Sequence, residues 1–425
     1  MMTLPALLGD FWGVLLSFVF LYPVLMSCVW MIGGIAFYFI RERHPHRVVS
    51  EPPTRSHYPL VAVLVPCFNE EENARETIEA LMQLRYPDFE VIAINDGSRD
   101  RTGAILDELA AEFPRLRVIH HAKNQGKAIG LNTAALLTTA EIVVGIDGDA
   151  RLDPWCLHWL VRHFDEPGVG AVTGNPRVRT RSTILGRIQV GEFSSIVGLI
   201  KRAQRSINLI FTVSGVIAAF RRSALYEAGF WSPDKLTEDV DITWKLQLAG
   251  WEVRFEPRAL CWILMPETLI GLWRQRLRWA TGGAQVIADY RTQIWRNPRL
   301  WPVFVEYSLS IVWAFCMGLL VVYRIADLIF YKVDLQSAPV LMLGWTGILI
   351  GTTCLLQCML SLWLDRPYDR GLSRMFFWMI WYPLVYWTLS AATAVVALPK
   401  ALMRKRGARA TWISPDRGVR PQNAR

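Results

Sequence analysis

The sequence has no CxxC pair. Its seven cysteines, Cys28, Cys67, Cys156, Cys261, Cys316, Cys354 and Cys358, share no paired spacing with histidine, and four of them lie in apolar runs. A zinc site or a disulfide framework is therefore not expected, and buried reduced thiols are the default. Neither GxGxxG nor the phosphate loop GxxxxGK followed by Ser or Thr occurs, so any nucleotide is bound without a glycine-rich phosphate cradle. Long-period repeats and low-complexity tracts are absent too. Residues 11–40, FWGVLLSFVFLYPVLMSCVWMIGGIAFYFI, contain no charged residue at all.

That last absence repeats late in the chain. Three more apolar stretches, 303–331, 338–364 and 375–399, are each long enough for the roughly 20 residues that cross a bilayer. Between the first stretch and the later ones, residues 48–300 carry ordinary charge and only strand-length apolar runs. The 425 residues thus read as a membrane protein with one water-soluble domain between its spans. Lysine and arginine number 46 against 37 acidic residues, a net charge of +9. Much of that excess lies beside the spans and in the tail, which points to anionic lipid as its partner and not to nucleic acid.

The first stretch is too long for a signal-peptide h-region, lacks a basic n-region and is followed by no small-residue cleavage site, so it is expected to remain as a span. The basic segment RERHPHR, beginning at Arg41, places the soluble domain in the cytoplasm. The C-terminal half conflicts with itself. The loop DRPYDRGLSR reads as cytoplasmic, but one further span would put the strongly basic tail outside. Either Pro383 divides 375–399 into a re-entrant pair, or one late stretch is not a span.

The soluble domain alternates strand and helix. YPLVAVLVPCFNE opens it as a buried strand, and Asn69 is a plausible N-cap for a helix carrying Ile78, Leu81 and Leu84 at helical spacing. FEVIAINDGS, LRVIHH and EIVVGID follow as strands, with RDRTGAILDELAAEF and GKAIGLNTAALLTT as helices between them. This order predicts an α/β domain with a parallel sheet covered on both faces, whose ligands bind beyond the carboxyl ends of the strands. Three of those ends deliver NE, NDGS and DGD to one edge.

Each polar motif has a bland reading beside a functional one. DGD, with Asp147 and Asp149, is ordinary turn chemistry or the seat of a divalent cation bridging carboxylate and diphosphate. An EF-hand is excluded, because Leu152 and His158 stand where that loop needs Gly and Glu. Asp96 either hydrogen-bonds its own turn or reaches a nucleoside. Lys127 is either a solvated helix-start lysine or a phosphate ligand. The acids of KLTEDVDITWK compensate a helix dipole, or one of Glu238 and Asp239 is a general base. ETLIGLWRQRLRWATGGAQVIADY fits an amphipathic helix on the membrane surface. A diphosphate leaving group also wants an arginine, and a sugar acceptor wants an aromatic face.

NDGS, DGD, TED and QRLRW in that order, followed by membrane spans, resemble the processive family 2 glycosyltransferases, which include cellulose, chitin and hyaluronan synthases. Within that family, the segment from TED to GGAQV and the tail WISPDRG are most similar to the bacterial poly-β-1,6-N-acetyl-D-glucosamine synthases. The resemblance covers roughly residues 60 to 290 and implies a GT-A-type, Rossmann-like domain inserted between transmembrane helices. Its expected divisions are 1–47 (first span and basic flank), 48–261 (cytoplasmic transferase domain), 262–300 (interface helices with QRLRW), 301–400 (C-terminal membrane region) and 401–425 (basic tail).

The resemblance further implies transfer of N-acetylglucosamine from UDP-N-acetylglucosamine, with inversion, at the bacterial inner membrane for a biofilm polysaccharide. Asp96 would hold the uridine part of the donor. Asp149 would ligate Mg2+ or Mn2+, with Asp147 nearer the nucleotide, and Asp239 would deprotonate the acceptor. Gln275, Arg278 and Trp279 would form the QxxRW motif, Arg278 on the diphosphate and Trp279 against the acceptor sugar. A small membrane partner subunit and activation by cyclic di-GMP are implied as well. The rival readings are another processive synthase (chitin, hyaluronan or cellulose type), a non-processive lipid-linked glycosyltransferase, and a transporter with a degenerate nucleotide-sensing domain. The intact TED, DGD and QRLRW argue against the last two.

Overall fold

A computed structural model describes residues 4–43, 52–330, 345–369, 371–381, 386–404, 407 and 409–410. Its sheet is built from strands β1 (Val61–Cys67), β2 (Phe89–Asp96), β3 (Leu116–His121), β4 (Ile142–Ile146), β5 (Arg151–Leu152), β6 (Val169–Val178), β7 (Ile217–Arg221) and β8 (Glu252–Ile263). The order is β3-β2-β1-β4-β7-β6-β8-β5. The first four pair in parallel. β7 runs antiparallel to both β4 and β6, β6 pairs with β8 in parallel, and β5 closes the edge antiparallel to β8.

Side-chain alternation explains why the parallel half is buried on both faces. Val61, Val63 and Val65 point to one side, where they pack with Ile78 and Leu106 of the helices Ala74–Met82 and Thr102–Glu112. Ala62 and Leu64 point to the other and meet Leu131 and Ala134 of the helix Lys127–Leu137. Each buried Val, Leu or Ile side chain contributes about 1.5–3 kcal/mol on burial. Parallel strands leave their carboxyl ends on one edge, so β1, β2 and β4 deliver Asn69, Asp96 and Asp147 side by side.

Asn69 does not cap the following helix. That helix begins at Ala74, and Asn69 has a left-handed backbone with φ 54°. Its side chain instead accepts from Arg99 N at 3.0 Å, and its own N–H donates to Ser98 Oγ at 3.1 Å. The acidic residues after it form a turn first, in which Asn73 N and Ala74 N both donate to Glu70 O.

Among the described residues, three helices are long and apolar enough to cross a membrane, with candidate spans Phe11–Glu42, Pro298–Tyr323 and Gly347–Asp365. Among the described residues the stretch 375–399 contributes no fourth candidate. Its described part is split between a 3₁₀ helix, Leu372–Trp381, and a helix of 16 residues, Thr388–Met403; Pro383 lies outside the described residues. The second piece packs on the helices Leu269–Trp295 and Trp301–Phe330, so protein covers much of its apolar surface. Beyond it, Ala410 N donates to Pro233 O of the soluble domain at 2.9 Å. Ala410 thus lies against the same domain that follows the first candidate span.

A buried ion-pair network joins the ends of two spans to the domain. Arg202, fully buried, bonds both oxygens of Glu42 at 2.8 and 3.0 Å and Asp365 at 2.8 Å. Arg177 donates to the other oxygen of Asp365 at 2.6 Å, and Tyr368 Oη donates to Glu42 at 2.7 Å.

Candidate active site

The DGD turn is seated by close backbone packing. Thr77 Oγ1 donates to Gly148 O at 2.9 Å, and a Cβ at Gly148 would stand 3.1 Å from Pro66 O and 3.3 Å from Glu70 Cγ. Asp149 is buried, while the Asp147 side chain keeps about a quarter of its surface, at 26%. Two carboxylates flanking one glycine repel each other, and a neighbouring cation offsets that repulsion.

Lys127 supplies it for Asp147. Its ammonium bonds that carboxylate, Glu238 Oε1 at 3.1 Å and Gly215 O at 3.0 Å. Burial works against the charge, but Asp147 and Glu238 more than offset it and hold the lysine pKa above its ordinary range. Sequence reasoning left Lys127 between solvent and a phosphate. The structure places it between the DGD turn and TED.

Asp96 is fully buried at the end of β2. His121 Nδ1 approaches Oδ1 at 2.8 Å, and Gln125 N and Gly126 N donate at 2.9 and 2.8 Å. Its carboxylate is engaged by the loop that leads into Lys127, so Asp96 shapes that loop and does not bond its own turn. Gly126, with φ +94°, provides the backbone that a side chain would strain.

Asp239 opens the helix Glu238–Leu248. Its Oδ1 accepts from Val240 N at 2.9 Å and its Oδ2 from Gly215 N at 3.2 Å. Burial, and then the neighbouring Glu238, push its pKa up to about 6, with Lys127 and Arg278 acting the other way. Gly215 lies between Asp239 and Lys127: a Cβ there would stand 3.2 Å from Asp239 Oδ2 and 3.4 Å from Lys127 Nζ, closing the gap between them. Behind it, Lys201 donates to Ser214 Oγ at 2.6 Å, and burial brings its pKa down to about 7.

The QRLRW helix, Leu269–Trp295, starts on Thr268, whose hydroxyl accepts from Gly271 N at 3.1 Å. Arg278 approaches Leu236 O at 3.5 Å, next to TED. Trp279 is partly exposed, and the Arg276 guanidinium stacks 4.2 Å from its ring centroid. Arg276 also donates to Gln275 Oε1 at 2.7 Å and forms an ion pair with buried Glu192 at 2.7 Å. One buried arginine therefore positions both Gln275 and Trp279. Sequence reading passed over Arg276 because nothing local marks its partner, Glu192.

The helix reaches TED through glycine. At Gly282 a Cβ would fall 2.2 Å from Thr237 Oγ1 and 2.4 Å from its Cγ2. Gly282→Val should therefore push the helix and TED apart. Overpacking of this kind costs about 1–3 kcal/mol, and a displacement of about 1 Å can cost about 10²-fold in rate. Donor turnover should fall by that order while thermal unfolding remains a single transition. Wild-type turnover in a folded variant would show that the contact does not set the site's geometry.

Asp147, Lys127, Glu238 and Asp239 thus meet around Gly215, with Asp149 on the adjoining turn and Arg278 facing TED. Asp96 stands one loop behind, and Gln275 and Trp279 lie along the same helix as Arg278. A carboxylate base, cations and a pair of metal-capable carboxylates at one strand edge suit group transfer from a nucleoside diphosphate derivative.

Residues 62–229 match the model of glycosyl transferase family 2. The chain is 36% identical over 410 residues to the poly-beta-1,6-N-acetyl-D-glucosamine synthase of Staphylococcus epidermidis, covering 95% of this chain and 98% of that one. It is 36% identical over 406 residues to the protein of that name from Staphylococcus aureus strain COL, with the same coverage. A solved structure, the mannosyltransferase PcManGT from Pyrobaculum calidifontis in complex with GDP-Man and Mn2+, shares the fold with a TM-score of 0.60 at 20% identity, covering 90% of this chain and 99% of that one. The chain belongs to the family 2 glycosyltransferases, close to the staphylococcal synthases.

Proposed function

We propose that the protein is a processive polysaccharide synthase that transfers N-acetylglucosamine from UDP-N-acetylglucosamine to a growing β-1,6-linked chain and helps export it. The observation that carries the polymer assignment is the 36% identity to the staphylococcal synthases, spread over 95% of the chain and not confined to the transferase motifs. The reaction type rests on the site itself. Asp239 accepts the proton of the acceptor hydroxyl as that oxygen attacks the anomeric carbon. Base and leaving diphosphate lie on opposite faces of the sugar, so configuration inverts without a covalent intermediate. Arg278 faces the diphosphate, Trp279 offers its partly exposed ring to the acceptor sugar, and Asp96 holds the loop beside the uridine.

Among the described residues no three acidic, histidine or cysteine side chains form a metal cage. Two carboxylates on one turn nevertheless fit a magnesium or manganese ion, which characteristically takes its other oxygens from phosphate and water. Asp149 and Asp147 would hold it, and when bound it offsets the charge of the departing diphosphate. Lys127 holds the Asp147 carboxylate in place beside that position.

The domain of residues 48–261 faces the cytoplasm of a bacterial inner-membrane protein in this reading. The basic flank at Arg41 and the return of Ala410 to the domain support it. A small membrane subunit and cyclic di-GMP activation are expected from the family resemblance.

The test is incorporation of labelled N-acetylglucosamine from its UDP form by membranes carrying this chain, with magnesium and with or without cyclic di-GMP. Polymer cut by a β-1,6-specific glucosaminidase is the expected result. Turnover only from UDP-glucose or UDP-glucuronate would overturn the product assignment and leave the fold and mechanism standing.

A further inference from the structure

A cavity of about 500 Å³ lies away from the catalytic edge, where the first membrane helix meets the domain. One wall is the last turns of that helix, Phe37, Ile40 and Arg41; the other is domain surface carrying Arg162, Arg205, Arg254 and Arg258. Five guanidinium groups line it against three carboxylates, Glu42, Glu166 and Glu256.

Those carboxylates are already engaged. Glu42 is held by Arg202 through both oxygens, Glu166 pairs with Arg254, and Glu256 takes His163 Nε2 at 2.8 Å and Arg258 N at 3.1 Å. Among the described residues Arg41, Arg162, Arg205 and Arg258 form no ion pair. Arg162 and Arg258 lean on the Trp159 ring, at 5.3 and 4.6 Å from its centroid. Stacking fixes their planes but leaves their charge unneutralised.

Arg205 is only 3% exposed and has Asn208 Oδ1 as its side-chain partner. Burial, then Arg254 and Arg41, bring its pKa down to about 10, the mark of a cation crowded by cations. Crowded, desolvated guanidinium groups are a costly arrangement unless an anion completes it.

We propose that this cavity binds the phosphodiester headgroup of an anionic phospholipid from the surrounding leaflet. The phosphodiester suits the forked donors of several arginines. The membrane supplies it because one wall is a span's end, with Ile40 67% exposed where an acyl chain would begin. A headgroup here ties the end of the first span to the domain beside the spans' ion-pair network, with which the cavity shares Glu42, and the site is independent of the sugar transferred.

The full chain is placed in nanodiscs of mixed phosphatidylglycerol and phosphatidylcholine, and lipids retained after release are counted by native mass spectrometry. Wild type should retain phosphatidylglycerol preferentially. Removing one arginine near a membrane surface weakens anion binding about fivefold, so Arg205→Gln with Arg258→Gln should lower retention about 25-fold. Arg41→Gln, on the exposed helix end, gives a milder second variant that tests the same cavity if the double variant fails to fold. Equal retention of both lipids by wild type overturns the proposal, as does unchanged retention in either folded variant. In phosphatidylcholine-only discs, soluble glycerophosphoglycerol serves as the acyl-free probe. Its binding there, with no lipid retained from mixed discs, overturns the membrane as the source.

Discussion

Asp239→Asn should lower kcat for polymer synthesis by about 10²–10⁴-fold, the contribution of a positioned general base. The amide is nearly isosteric but cannot take the acceptor's proton. It also cannot accept from both Val240 N and Gly215 N as the carboxylate does, so one backbone donor loses its partner and a modest loss of stability accompanies the kinetic effect. Donor binding should change little, because the residues assigned to the uridine and metal side are Asp96, Asp147 and Asp149. The pH profile separates this role from a structural one. A base works only when deprotonated, and burial with Glu238 sets the Asp239 pKa at about 6. Wild-type kcat/KM should therefore rise as pH increases through about 6 and level off above it. Glu238→Gln removes the neighbouring negative charge that raises this value, so the limb should move to lower pH. An Asp239→Asn enzyme keeping more than a tenth of wild-type kcat, or an acid limb that Glu238→Gln leaves in place, would assign the base elsewhere.

Legibility in the sequence followed the range of the interactions. The alternation of Val61, Val63 and Val65 against Ala62 and Leu64 is a period-two signal within one strand, and it predicts the two packed faces that are observed. The placement of Asp96 and Asp147 at one edge followed from parallel topology alone. Asn69 misled because the acidic run after it has the look of a capped helix. Its actual partners lie 29 and 30 residues further on, at Ser98 and Arg99. The insertion of β7 between β4 and β6 depends on pairings far apart in the chain and left no local mark. Arg276 was unreadable for the same reason, since burial against Glu192 distinguishes it from Arg274 and Arg278 beside it. The stretch 375–399 is apolar enough to span, yet its second half uses that surface against other helices. Composition reports that a face is apolar but not what covers it.

Arg202→Ala should destabilise the protein by about 3–5 kcal/mol, the cost of breaking a buried ion pair by removing one partner. Arg202 bonds Glu42 twice and Asp365 once, and both carboxylates are nearly inaccessible, at 4% and 0% side-chain exposure. Without the guanidinium, Glu42 keeps Tyr368 as a donor and Asp365 keeps Arg177, so the first span's end suffers most. An exposed pair gives the contrast. Arg75 and Glu108 meet at 2.8 Å with about half of each side chain exposed, and Arg75→Ala should cost about 1 kcal/mol or less. Thermal unfolding in one detergent, for both variants, measures the difference directly. Comparable losses would mean that water reaches the Arg202 cluster. Replacing Arg202 and Glu42 together, with Arg202→Met and Glu42→Leu, removes the carboxylate left without its arginine and keeps Asp365 paired with Arg177, so it should recover part of the loss. Activity provides the second readout. Glu42 ends the first candidate span and Asp365 the third, so Arg202 ties the domain to both span ends and sets its orientation relative to them. If that orientation aligns the catalytic edge with the path by which polymer leaves, the repacked variant will unfold later than Arg202→Ala yet release shorter chains than wild type. Restored stability with wild-type chain length would confine the cluster to holding the fold.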